Sequence, residues 1–113
     1  MIQIFGTPKC RDTRKAERFF KERRIKIQFI DLREQAISRG ELNSISASIP
    51  LEELIDIEGR EYETLNLKYL RHDIVEELLE HPLLFRTPIV RLGRRATVGY
   101  DPDTWKVFAD EFK

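Results

Sequence analysis

The sequence predicts an α/β fold with a mixed four-stranded sheet and a helical insertion. Three features predict it. The first ~32 residues read strand, helix, strand, the middle is helical, and the end reads hairpin then helix. A strand–helix–strand unit of that length implies a parallel pair with a right-handed crossover, and the hairpin adds antiparallel strands. With 113 residues the chain can build one core, so a single domain over residues 1–113 is expected, with the insertion at about 38–80.

Each element follows from its own pattern. Met1 to Phe5 is short and alternating and ends at Gly6-Thr7-Pro8, a strand followed by a turn. From Arg11 to about Arg23, Ala16, Phe19 and Phe20 share one helical face while Arg14, Lys15, Glu17, Arg18 and Lys21 cover the rest. Lys26 to Leu32 alternates polar and apolar, a second strand. Ser38 with Glu41 three residues on fits a capping box, with Leu42, Ile45 and Ile49 inward. A short helix is expected from Pro50 through Leu54, then a break at Glu58-Gly59-Arg60, with Tyr62 and Leu65 at helical spacing beyond it. Asp73 can cap a helix carrying Ile74, Val75, Leu78 and Leu79 that stops at His81-Pro82. Pro88 to Leu92 and Arg95 to Gly99 flank a Gly93-Arg94 turn. Asp101-Pro102 then opens a helix expected to bury Trp105, Phe108 and Phe112. This order describes a thioredoxin-like α/β domain.

Composition excludes several classes of function. Twenty basic residues balance twenty acidic ones, and phosphate binders usually carry a basic excess, so no direct nucleic-acid contact is expected. The local pairs Arg23-Arg24 and Arg94-Arg95 read as solvated surface, as do the carboxylates Glu52, Glu53, Glu76 and Glu77. No apolar run approaches the roughly 20 residues of a membrane span, and the N-terminal residues lack a signal-peptide pattern, so a cytoplasmic monomer is expected. No Cys/His cluster has metal-ligand spacing, so no metal is expected. His72 and His81 carry no catalytic expectation; His81 ends a helix, where it can meet the helix dipole.

The single cysteine, Cys10, is the chemically distinctive residue. It has no internal partner for a disulfide, so any redox cycle through it needs a second sulfur from a small thiol or another protein. It follows the loop Gly6-Thr7-Pro8-Lys9 and sits where the unpaired amides of the first helix point. Lys9, Arg11 and Arg14 lie close in sequence, and the Thr13 hydroxyl is one turn along. Amides and guanidinium groups are therefore expected to converge on an ionised sulfur. The same surroundings suit either an oxyanion or a disulfide as substrate. Within a thioredoxin-like fold, Thr87-Pro88 is expected to be cis and to lie opposite the cysteine, exposing backbone to a thiol substrate.

Gly6-Thr7-Pro8-Lys9-Cys10-Arg11-Asp12-Thr13-Arg14-Lys15-Ala16 resembles the N-terminal signature of the arsenate reductase (ArsC)/Spx family. Glu80 to Val90 resembles its second block, a helix end followed by a Pro-Ile strand, and Val98-Gly99-Tyr100 resembles its hairpin exit. The resemblance runs along nearly the whole chain. It implies a thioredoxin-like fold with a helical insertion and two classes of activity. In the reductases one cysteine attacks arsenate, and glutathione and glutaredoxin complete the reduction. In the Spx branch the protein binds the RNA polymerase alpha subunit, often with a Cys-x-x-Cys switch. Carried onto this chain, the resemblance implies Cys10 as nucleophile, Thr13 and Arg14 beside it, Arg60 and Arg86 as anion contacts, and Thr87 and Pro88 at the substrate. It implies no bound cofactor, with glutathione or glutaredoxin as external reductant. Thr13 stands where Spx often has its second cysteine, Thr87 where the reductases place an arginine, and Glu58 where related sequences have another.

Overall fold

The structure, a computed structural model, describes residues 1–67 and 73–112; His72 lies outside them. Four strands form one sheet in the order β2-β1-β3-β4. Strand β1 (Ile2–Gly6) pairs in parallel with β2 (Ile27–Asp31), in register from Ile2 against Ile27 to Gly6 against Asp31. On its other side β1 runs antiparallel to β3 (Ile89–Leu92), with Phe5 opposite Ile89. Strand β4 (Arg95–Val98) completes the hairpin. The sheet is mixed, as expected, and its topology is thioredoxin-like. Gly6 corrects one detail: it belongs to the strand rather than to the turn, because its peptide continues the pairing with β2.

Alternation along the strands sends side chains to two separate cores. Ile2, Ile4 and Val90 meet Ala16 and Phe20 of helix α1 (Arg11–Glu22) and Trp105, Phe108 and Ala109 of the C-terminal helix. Phe5, Ile30 and Ile89 face the opposite way, into a core with Leu42, Ile45, Leu54, Leu78 and Leu84. That second core is roofed by the insertion: α2 (Arg39–Ser46), α3 (Leu51–Leu54), α4 (Arg60–Thr64), α5 (Ile74–Glu80) and a 3-10 turn over Pro82–Leu84. The insertion therefore covers a sheet face that would otherwise be bare. It is fastened by an Ile55–Phe85 bridge and by hydrogen bonds from Asp56 N–H to Leu84 O and from Arg86 N–H to Leu54 O.

The predicted caps are in place. Ser38 accepts from Glu41 N–H at 3.1 Å, while Glu41 accepts from Ser38 N–H at 3.0 Å. Asp73 accepts from the amides of Val75 and Glu76 to open α5, and Asp101 accepts from Thr104 N–H to open α6 (Pro102–Asp110). His81 ends α5 and lies 3.9 Å from Glu77. One core assignment fails. Phe112 is 46% exposed, because α6 stops at Asp110 and Phe112 falls in the turn beyond it. Trp105 and Phe108 are buried as expected, and the Trp105 indole N–H donates to Thr97 Oγ1 at 3.2 Å inside the core. Among the described residues, no helix is long and apolar enough to cross a membrane.

Candidate active site around Cys10

Strand β1 ends and helix α1 begins within five residues, and Cys10 occupies the N-cap with extended backbone, φ −80° and ψ 119°. An N-cap side chain ordinarily accepts from the amides two and three residues on, which is why Ser, Thr, Asp and Asn dominate there. Here a sulfur takes that place. A thiol is a weak acceptor, and the side chain makes no capping hydrogen bond as it stands. A thiolate is a strong acceptor and inherits the Asp12 and Thr13 amides. The helix N-terminus thus favours the charged form over the neutral one.

The loop before α1 is held by local hydrogen bonds. Cys10 N–H donates to Thr7 O at 3.1 Å, and Arg14 N–H donates to Cys10 O at 3.1 Å. The Arg14 guanidinium donates to Pro8 O at 2.8 Å. Arg14 accordingly clamps the loop that carries the sulfur, and its charge is directed to a carbonyl.

From the other side the sheet brings up residue 87. The Thr87–Pro88 peptide is cis, as expected. The half-buried Cys10 thiol donates to Thr87 O at 3.7 Å, a contact across 77 residues of sequence. Pro88 is buried beside β3. The antiparallel pairing of β1 with β3 makes this meeting possible, since it sets the end of β1 against the start of β3.

The Cys10 thiol titrates below its ordinary value. Burial pushes it up, and this is outweighed by the hydroxyls of Thr13 and Thr87 and then by the amides of Thr13 and Asp12. Thr13 is fully buried, and in the thiol state its hydroxyl has no hydrogen-bond partner. An unpaired buried hydroxyl costs about 1–3 kcal/mol. Ionisation of the sulfur supplies the missing acceptor.

This corrects one sequence expectation. The Arg14 guanidinium is directed to Pro8 O rather than to the sulfur; the thiol donates to a carbonyl, and the groups that favour its thiolate are two hydroxyls and two amides. Arg60 is exposed at the first residue of α4, and Arg86 is exposed with its amide fastened to Leu54 O. Thr13, Thr87 and Pro88 are the predicted residues that the fold gathers at Cys10. Reading Thr87 as a substrate contact missed that its hydroxyl and carbonyl both serve the sulfur. Gly6 also escaped notice, since a glycine before Thr-Pro reads as punctuation.

Comparison with known proteins finds similarity along nearly the whole chain. The Bacillus subtilis (strain 168) protein YusI is 31% identical over 112 residues, covering 93% of this chain and 95% of its own. The global transcriptional regulator Spx of Streptococcus pyogenes serotype M1 is 24% identical, covering 96% of this chain and 84% of that protein. Among solved structures, an arsenate reductase from Vibrio cholerae superimposes with a TM-score of 0.79 at 23% identity, covering 94% of this chain and 95% of that one. The family model described as ArsC family matches residues 5–108. From the first strand through to the last helix, the chain belongs to the ArsC family.

Proposed function

We propose that this protein is an arsenate reductase-like thiol oxidoreductase with Cys10 as its single nucleophile and an external thiol, glutathione or glutaredoxin, as resolving partner. The observation that carries the reading is the N-cap sulfur facing Thr87 O, with hydroxyls and amides that favour its thiolate. On a disulfide substrate the Cys10 thiolate attacks one sulfur, the S–S bond breaks, and its electron pair leaves on the other sulfur as a thiolate. A second thiolate, from glutathione, then attacks the mixed disulfide and displaces Cys10 as the thiolate. The oxidised product is the disulfide of glutathione with the substrate thiol. Neutral donors around the sulfur favour this substrate class over arsenate, whose charge calls for guanidinium partners, and the guanidinium of neighbouring Arg14 is engaged by Pro8 O.

The test measures glutathione-dependent turnover of a small disulfide and of arsenate by the parent and by Cys10→Ser. The expected result is disulfide turnover that Cys10→Ser abolishes, and trapping of a one-to-one mixed disulfide of the substrate thiol on Cys10 of the parent when glutathione is withheld. Equal turnover by the two proteins would falsify the reading.

The Spx relative supports a second reading, a regulator that binds the RNA polymerase alpha subunit. Thr13 removes the Cys-x-x-Cys switch from this chain, so such binding would be indifferent to oxidation of Cys10. Stoichiometric binding of purified alpha subunit by both parent and Cys10→Ser, with no thiol turnover, would favour it.

A further inference from the structure

Gly6 closes β1 without the positive φ that Gly93 and Gly99 adopt. Backbone conformation therefore does not explain why a glycine stands there. Space does. A Cβ on Gly6 would fall on Thr13 Oγ1 and lie 2.6 Å from Thr13 Cγ2 and 3.1 Å from its Cβ. Thr13 is fully buried, so its side chain has no open space in which to retreat. Its hydroxyl is the buried side-chain polar atom without a hydrogen bond among the described residues.

We infer that Gly6 is a positioning residue for Cys10: its bare Cα lets the Thr13 side chain lie against β1 with the hydroxyl held ready for the sulfur's negative charge. The inference rests on the thiol-oxidoreductase reading above. Thr13 is β-branched and stiff about χ1, so contact on one side suffices to hold its rotamer. A donor fixed before the charge appears needs no reorganisation when the thiolate forms or is released. A methyl on residue 6 would press on both Oγ1 and Cγ2 of Thr13 and turn the donor away. Gly6 never touches the reacting atoms and acts only through Thr13.

The experiment follows ionisation of Cys10 by ultraviolet thiolate absorbance and by the pH profile of its alkylation, with thermal unfolding in parallel. Thr13→Val removes the hydroxyl and keeps the shape. It should raise the midpoint by about one pH unit, a tenfold smaller thiolate fraction below the midpoint, with no loss of thermal stability, since an unpaired buried hydroxyl has gone. Thr13→Ser should retain the parent midpoint. Gly6→Ala should raise the midpoint as Thr13→Val does, and Gly6→Ala/Thr13→Val should shift it no further. A Gly6→Ala midpoint equal to the parent's, or additive shifts in the double variant, overturns the inference. Should Gly6→Ala not fold, Gly6→Ala/Thr13→Ala takes its place, because the two crowding atoms Oγ1 and Cγ2 are then absent and only the 3.1 Å approach to the Cβ of residue 13 remains. It should fold and titrate like Thr13→Ala; failure to fold overturns the packing argument. A parent midpoint equal to that of free cysteine overturns the thiol-oxidoreductase reading itself, a result distinct from the others.

Discussion

Replacing Thr87 by valine tests the site from the sheet side. Thr87→Val keeps the β-branch, the carbonyl that accepts the Cys10 thiol at 3.7 Å, and the Pro88 that follows. It removes only the hydroxyl that favours the thiolate. A hydrogen bond to a charged group contributes about 1.5–3 kcal/mol when water is excluded. Cys10 is only half-buried, so solvent replaces part of the lost donor and the lower end applies. That is about 1.5 kcal/mol, roughly one pKa unit, and about a tenfold smaller thiolate fraction below the midpoint. Stability carries the same signature. Because the folded pKa of Cys10 is lowered, its ionisation adds stability that is fully present above the unfolded value of about 8.5 and is lost as pH falls through the folded value. Relative to Cys10→Ser, the parent should gain stability on going from about pH 6 to about pH 9.5, and Thr87→Val should flatten that gain. Thiolate absorbance against pH gives the midpoint, and urea unfolding at each pH gives the linkage. An unmoved midpoint in Thr87→Val, or a parent that loses stability relative to Cys10→Ser over this range, refutes the reasoning.

The rest of the fold yields two further expectations. Thr97→Val strands the Trp105 indole N–H in the core and should cost about 1–3 kcal/mol, whereas Thr97→Ser should hold near the parent; urea unfolding that finds Thr97→Val as stable as the parent removes the assigned role of that bond. Ser38→Ala removes the hydroxyl that accepts from Glu41 N–H and leaves the Ser38 backbone N–H donating to Glu41; it should cost about 1 kcal/mol, about 5 °C in Tm for a chain of this size, while Arg39→Ala loses a pair with Glu76 that is exposed on both sides and should change little; thermal unfolding of the two variants side by side checks the contrast.

Legibility followed the range of the interactions involved. The capping box at Ser38 and Glu41, the caps at Asp73 and Asp101, and the inward Leu42 and Ile45 of α2 each lie within about a dozen residues and appear as read, and Ile49 is buried too, three residues beyond the end of that helix. Phe112 was misread because periodicity does not show where a helix ends. Asp110 is the last residue of α6, and the stripe that includes Trp105 and Phe108 does not extend past it. The Cys10 N-cap was equally local and equally legible, since a turn followed by helical periodicity places the free amides. Charge was the misleading signal. Arginines close in sequence suggested cationic support for the sulfur, whereas Arg14 reaches back to Pro8 O. A long, flexible side chain is directed by the nearest strong acceptor, which composition does not reveal.

The sequence by itself determined an α/β chain with a strand–helix–strand opening, a helical middle and a closing hairpin, and it singled out one sulfur at a helix start. These are matters of hydrophobic period and of caps, fixed by neighbours along the chain. Only the tertiary structure decided what surrounds that sulfur. Pairing of β1 with β3 brings residue 87 to residue 10, and close packing of Thr13 on the bare Cα of Gly6 aims a hydroxyl. Such contacts arise from strand register and steric fit between segments far apart or offset along the chain, and they exist only once the sheet has formed.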